Sequence, residues 1–500
     1  MSQTDEEKKE KILEEMRAFA QLGLDFVKLQ EEIKVQKQLI QNLNTAMRSQ
    51  SPPQSSSGGV ALTILRDENY MRRAEHIKKL FDLQDELHWT AEKVRMDNLV
   101  NRHRQQHPLN TELCPICLQH VPITCNKSVQ YFACCGNFIC LSCLKASVAG
   151  GEVRMKNCPC CRKDVFVETK KVVSQIEEQA KRGRPWAQAN FGIYFLEGSS
   201  CEHGDAVKNK VDVKEAMKWF KLAAKQKQPN AIRIIAQLHA GVYDEAKEVV
   251  EQCQVKGRVL MKEAADLGNL GAQRDYAMMC RMGQGGPKDE VEAAHYYTLV
   301  YFQKNEISLQ LEYNADGLPE EILHACLYLG IYHYYGNGGL TKDLHIAKHY
   351  LEEHVKEMEK QCLNVGPNAY TCLAACLMEL QEKKYGRSVP DFSIPGYSSV
   401  PRAMSLYRKA IKLGINKPNE YSQHSKEIMD QLVTKQRWLC ANCGAASKDS
   451  PQEVSKLCGL KAEGKLKECG RCHSAWYCGK ACQTEHWKAG HKRDCVMQRV

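Results

Sequence analysis

The sequence predicts a mainly α-helical chain of several domains, from three observations. A heptad of apolar residues runs through residues 8–46, a helix-pair pattern recurs five times between about 180 and 432, and two cysteine blocks, 114–161 and 440–495, carry metal-ligand spacing. Five hundred residues exceed one compact core, and 43% hydrophobic content is enough to bury several. The expected order is an amphipathic helix over 1–50, a second helical segment over 60–107, a cysteine-rich module over 110–168, an α-solenoid over 180–432 and a second cysteine-rich module over 438–496.

The heptad comes first. With Ile12 at position a, the a positions are Ile12, Phe19, Phe26, Ile33 and Ile40, and the d positions are Glu15, Leu22, Leu29, Gln36 and Leu43. Such a stripe needs a partner. The segment Ser51-Pro52-Pro53-Gln54-Ser55-Ser56-Ser57-Gly58-Gly59 cannot continue the helix and reads as a connector. A charged helical stretch then runs from about Leu65 to Arg104 and ends before Pro108. Either the two helices form an antiparallel hairpin, or the first makes an intermolecular coiled coil that would give a homodimer through residues 8–46.

The first cysteine block runs Cys114-x-x-Cys117, Cys134-Cys135, Cys140-x-x-Cys143 and Cys158-x-x-Cys161. A tetrahedral ion needs two such pairs, so four pairs imply two zincs. Interleaving assigns Cys114, Cys117, Cys140 and Cys143 to one ion and Cys134, Cys135, Cys158 and Cys161 to the other. Cys125 and Asn137 stand nearby as alternative donors to the adjacent pair. Cys114-Pro115-Ile116-Cys117 with Cys158-Pro159-Cys160-Cys161-Arg162 resembles a RING finger, and Cys134-Cys135-Gly136 places it with the all-cysteine subclass. That resemblance implies no covalent chemistry. It implies a surface that grips a ubiquitin-conjugating enzyme carrying a ubiquitin thioester, with Ile116 and Pro159 as its contacts to that enzyme. Arg162 falls at the linchpin position, where its planar fork can donate to carbonyls on the conjugating enzyme and on ubiquitin. The helix after Cys143 offers Leu144 and Val148 but no tryptophan.

Between the blocks, five segments start at Ala187, Ala231, Ala272, Ala325 and Ala369, each followed five positions later by Gly192, Ala236, Ala277, Gly330 or Ala374. Glycine closes the first helix at Gly198, Gly241, Gly283 and Gly336. Each second helix has a small residue ahead of a bulky pair: Ala216 with Trp219 and Phe220, Gly257 with Leu260 and Met261, Ala293 with Tyr296 and Tyr297, Ala347 with Tyr350 and Leu351, Ala403 with Leu406 and Tyr407. Small residues let helices approach while the bulky pair fills the next groove, which predicts an α-solenoid of about five helix pairs. The pattern, above all Tyr335-Gly336-Asn337-Gly338-Gly339-Leu340-Thr341-Lys342-Asp343 before Ala347, resembles the Sel-one-like repeats. The second and fifth repeats are degenerate. The resemblance implies a concave surface for protein substrates or partners, without chemistry of its own.

The second block runs Cys440-x-x-Cys443, Cys469-x-x-Cys472, Cys478, Cys482, His491 and Cys495. With Tyr477, Gln483, Trp487 and Lys492 in their places, it resembles a MYND finger. That resemblance implies one zinc on Cys440, Cys443, Cys478 and Cys482, and another on Cys469, Cys472, His491 and Cys495. Cys458, in the long interval after Cys443, is an alternative to Cys443. His473 and His486 complete no ligand set. MYND fingers bind proline-containing peptides, whose stiffness limits the entropy lost on docking.

The formal charge of +10 counts cysteines as neutral. Two zincs on eight thiolates contribute about −4 and two on seven thiolates about −3, leaving about +3, too little for a strong polyanion binder. In the first block Lys145, Arg154, Lys156, Arg162 and Lys163 are scattered among apolar residues, against a nucleic-acid finger. No N-terminal apolar run and no eighteen-residue apolar stretch occurs, so neither secretion nor membrane spanning is expected. The 25 cysteines then argue for metal rather than disulfides, in cytoplasm or nucleus. No nucleophile constellation or phosphate loop stands out. The expected function is a RING-type ubiquitin-protein ligase with four zincs, whose solenoid and MYND finger recruit substrates. The rival is a non-enzymatic zinc scaffold for protein–protein interaction.

Overall fold

The computed structural model describes residues 25, 27–46, 59–123, 129–148, 157–165, 168–200, 207–208, 211–304, 318–385, 400–414, 419–436, 465–471, 475–488 and 492. Their packing divides the chain into two units, residues 1–94 with 342–500, and residues 95–341.

The first unit begins with helix α1 over 27–46. It runs antiparallel to the start of α2 (Gly59–Gln106), with Lys79 paired to Glu32 at 2.6 Å and His76 Nδ1 2.8 Å from Gln36 Oε1. Leu29 and Ile33 bury against Leu83, flanked by Leu80 and Leu87. The hairpin is therefore formed, and over Leu29 to Gln36 the apolar seam is covered by α2 rather than by a second chain. The seam positions Ile12 to Phe26 and the connector over 51–58 lie outside the described residues.

The second unit starts with the end of α2 and continues into the first cysteine block. Strands β1 (Thr111–Leu113) and β2 (His120–Pro122) form one antiparallel ribbon, and β3 (Val129–Tyr131) and β4 (Phe138–Cys140) a second, followed by α3 (Leu141–Val148). The next helix, α4 (Thr169–Lys181), has no counterpart in the five-fold pattern. It caps the array by packing Val173, Ile176 and Ala180 against Trp186, Ala187 and Phe191 of α5 (Pro185–Glu197).

After the short ribbon β5 (Ser199–Ser200) and β6 (Val207–Lys208) come α6 (Val213–Lys225), α7 (Pro229–Ala240), α8 (Gln254–Asp266), α9 (Leu270–Met282), α10 (Glu290–Phe302) and α11 (Glu320–Tyr335). The pairs α5/α6, α7/α8 and α9/α10 are the first three repeats, and α11 opens the fourth. Side-chain caps start several of these helices: Asp212, Asn269 and Asp289 accept from the backbone N–H three residues on. Glycines 198, 241, 283 and 336 end the first helices in the left-handed conformation. The small positions are tight: a Cβ on Gly192 would lie 2.6 Å from the Phe220 ring.

The first unit resumes with α12 (Leu344–Lys360), α13 (Pro367–Tyr385), α14 (Val400–Gly414) and α15 (Glu420–Gln436), then β7 (Lys467–Glu468), β8 (Trp476–Tyr477) and α16 (Lys480–His486). Cys280, Cys326, Cys372 and Cys376 are buried in repeat helices as small hydrophobes, whereas Cys362 is exposed. No helix among the described residues is long and apolar enough to cross a membrane.

Helix α2 also covers second helices of the repeats. Within the first unit, Trp89 stacks on His349 at 3.6 Å, Tyr350 donates to Glu92 at 2.8 Å, and Asp85 accepts from His345 and Lys348 of α12, both at 2.5 Å. Burial pushes the Asp85 carboxyl up, and these two partners hold it below its ordinary value. Within the second unit, Arg95 donates to Thr298 of α10 at 3.3 Å.

Candidate metal centres

One backbone turn generates most of the first cysteine block. In the turn that starts at Cys114, the Leu118 N–H donates to Cys114 O at 2.9 Å and the Cys114 N–H to Gln119 O at 2.9 Å. The turn at Cys158 repeats this, with Arg162 N–H to Cys158 O and Cys158 N–H to Lys163 O, each 2.7 Å. A third copy starts at Phe132: Gly136 N–H donates to Phe132 O and Phe132 N–H to Asn137 O, each 2.8 Å. The adjacent cysteines therefore occupy the third and fourth places of a standard knuckle, so no spacer is needed between them. The fifth residue of each turn is left-handed: Leu118 at φ 59°, Gly136 at 75° and Arg162 at 62°.

These turns bring eight thiols into two groups, Cys114, Cys117, Cys140 and Cys143 in one and Cys134, Cys135, Cys158 and Cys161 in the other, the ligand atoms of each within 4.8 Å of one another. Sulfur–sulfur distances are 3.8 Å for Cys114–Cys143, 3.7 Å for Cys117–Cys140, 3.7 Å for Cys135–Cys158 and 3.4 Å for Cys161–Cys134. Four sulfurs each about 2.3 Å from one zinc lie about 3.8 Å apart, whereas disulfide sulfurs lie about 2.05 Å apart. The donor sets fit zinc. The backbone carbonyl of Asn137 closes the Phe132 turn, and Cys125 lies outside the described residues.

Within each cluster the thiols are shifted in both directions. Burial pushes the Cys114 thiol up, but backbone N–H groups of Cys140, Cys117 and Ile116 outweigh it and hold the group at about 6. Cys161 is also lowered: burial opposes, and the Lys163 N–H and neighbouring thiols prevail. Burial and neighbouring sulfurs raise Cys134 and Cys143 and push Cys135 up to about 12. Four thiolates at such distances repel one another, and a divalent cation is what allows all four to lose their protons.

The two clusters face different surroundings. Around the first, Ile116 is 47% and Leu118 70% exposed, with Leu113 also exposed, while Pro159 beside the second is half-buried and Arg162 exposed. The Phe132 turn instead meets the repeats: Tyr131 stacks on Trp186 at 4.9 Å, and a Cβ on Gly136 would lie 2.4 Å from Gln179 Oε1 of α4.

At the other end of the chain, β7 and β8 pair antiparallel, Cys469 is buried, and its N–H donates to Ala475 O at 2.8 Å. Cys478 and Cys482 lie one helical turn apart with sulfurs 3.4 Å from each other. Tyr477 is buried, and the Arg471 guanidinium lies 6.0 Å from the Trp487 ring. Cys440, Cys443, Cys472, His491 and Cys495 lie outside the described residues, as do His473 and the His486 side chain.

A zinc-binding protein built on helical repeats is the class these features define. The MYND finger family matches residues 440–495, and Sel1 repeats match residues 187–227, 271–299, 323–353 and 398–415. The repeat matches fall on the first, third and fourth pairs and on the second helix of the fifth. Both kinds of module mediate protein interaction, and the MYND finger is zinc-binding. Among solved structures, the chain is similar to a Sel1 repeat protein from Oxalobacter formigenes, at 18% identity and TM-score 0.33 over 53% of this chain and 94% of that one. It is also similar to a protective antigen with an SLR fold from uropathogenic Escherichia coli, at 16% identity and TM-score 0.25 over 57% and 62%. A curated relative, ubiquitin carboxyl-terminal hydrolase 19 of Arabidopsis thaliana, is 47% identical over 38 residues, which span 8% of this chain and 6% of the relative.

A third group of metal-capable side chains, His103, His107 and Asp266, was not anticipated from the sequence. Its only local signal is the four-residue spacing of the histidines at the end of a helix; Asp266 is remote in the chain.

Proposed function

We propose that the chain is a RING-type ubiquitin-protein ligase, and the observation that carries the proposal is the pairing of exposed Ile116 with exposed, left-handed Arg162. A large apolar side chain held in solvent beside a zinc turn suits a docking contact, and Arg162, at the fifth place of the Cys158 turn, is exposed as well. In this reading Ile116 and Pro159 contact the conjugating enzyme, and Arg162 bridges to ubiquitin. A lysine of the bound client then attacks the thioester carbonyl, forming the amide and releasing the conjugating-enzyme thiol. Four zincs hold the two finger modules, over 110–168 and 438–496, and the repeats over 180–432 with the MYND finger recruit protein clients, proline-containing peptides binding beside Trp487. Cytoplasm or nucleus is the expected compartment.

Autoubiquitination with a broad panel of conjugating enzymes tests this. Zinc-dependent chains that Arg162→Ala abolishes and Ile116→Ala weakens are the expected result. If no enzyme of the panel yields chains, the ligase reading falls. The scaffold reading then stands, favoured by the Sel1 and MYND matches, which imply interaction alone.

A further inference from the structure

The thiol clusters do not account for every metal-capable group of this chain. His103 sits in the last turn of α2 and His107 just beyond it, with the His107 N–H donating to His103 O at 2.8 Å, so one helical face presents both imidazoles. Asp266 is the last residue of α8. The ligand atoms of the three lie within 4.8 Å of one another, and His107 Nδ1 is 3.7 Å from Asp266 Oδ2.

His103 is only 7% exposed, and its Nε2 is buried without a hydrogen-bond partner. Such an atom is expensive to bury unless something binds it. Its other ring nitrogen, Nδ1, lies 3.2 Å from His295 Nε2, a contact that fixes the ring while Nε2 is left without a hydrogen-bond partner. Asp266 is positioned too: its second oxygen accepts from the Tyr296 hydroxyl, which also accepts from Lys262 Nζ at 2.9 Å. Lys262, the nearby cation that would oppose a metal, is paired with Glu292 at 2.5 Å.

We infer that His103, His107 and Asp266 form a further zinc site, separate from the thiol clusters, which pins the end of α2 to helix α8 of the second repeat. Two imidazoles and a carboxylate suit zinc, whose tetrahedral shell leaves the fourth position to water. His107, at 36% side-chain exposure, marks the solvent side from which the ion and that water enter. Tetrahedral zinc with donors about 2.0–2.1 Å away sets them about 3.4 Å apart, so binding needs only a small contraction of the group.

The test uses the full zinc-loaded chain. Native mass spectrometry should find one zinc fewer in His107→Gln and in Asp266→Asn than in the wild type, with unchanged helical circular dichroism. Equal metal counts in folded variants overturn the inference. Should both variants lose helicity, a zinc-edge anomalous difference map of wild-type crystals grown with zinc decides. A peak bounded by His103, His107 and Asp266 supports the site, and its absence overturns it.

Discussion

The two thiol clusters of the first block share one turn and nearly one sulfur spacing, yet the turns that build them meet different surroundings. Beside the first, Ile116 and Leu118 stand in solvent; the Phe132 turn of the second is pressed against the first repeat through Tyr131 and Trp186. The fifth place of the turn records the difference. It holds glycine where the amide end of Gln179, itself 2% exposed, crowds the Cβ position, and it holds Leu118 or Arg162 at the other two turns. Glycine at position 136 therefore answers the packing of another segment as much as the turn. The same metal geometry serves as an anchor on one side and as a display on the other.

The largest way to break the comparison is to remove the metal from both clusters. Structural zinc carries about 10–16 kcal/mol of apparent binding free energy in small fingers. Chelation should therefore unfold the block, and the C-terminal finger with it, while the repeats keep their helices, visible as proteolysis confined to residues 110–168 and 438–496 with helical circular dichroism preserved. Cys140→Ser and Cys158→Ser should each release one zinc in native mass spectrometry.

Gly136→Val acts on the anchor alone. The left-handed backbone and the clash with Gln179 should cost about 2–5 kcal/mol, read as a fall in the denaturation midpoint of the second unit. Tyr131→Ala removes the stack on Trp186 and should cost about 1.5–3 kcal/mol with zinc content intact. If Tyr131→Ala leaves stability unchanged, the block is not anchored through this face.

At the exposed residues, Ile116 beside the first cluster and Arg162 beside the second, the effects on stability are small. Arg162→Gly relieves a left-handed arginine and should raise stability by about 1 kcal/mol while abolishing ubiquitin transfer. Ile116→Ala should change stability by less than about 0.5 kcal/mol, because the side chain is already half in solvent, and should still weaken transfer at least about tenfold. Stability measured beside transfer separates a docking role from a structural one.

Much of this was legible in the sequence, for a physical reason. Zinc ligands come in local pairs, so the spacing of Cys114 to Cys161 was enough to sort them into the two groups now seen. The repeat helices were legible from small and bulky residues at helical spacing, and glycines 198, 241, 283 and 336 end them as expected. What stayed hidden depends on contacts between remote residues. No local pattern pairs Tyr131 with Trp186, Trp89 with His349, or Asp266 with His103. Cap helix α4 was missed because it lies outside the repeat period. Of the C-terminal ligand set, the described residues include only Cys469, Cys478 and Cys482.

Interleaving also has a temporal meaning. A chain leaving the ribosome completes the ligand set of the first cluster when Cys143 emerges, and that of the second only with Cys161. Trp186 and Gln179, which brace the Phe132 turn, arrive later still. Synthesis thus imposes an order on metal capture, with the display side ready to close around its ion before the anchor has anything to rest on. A nascent chain stalled with Cys143 outside the ribosome and Cys158 still inside its exit tunnel should already hold one zinc and lack the second.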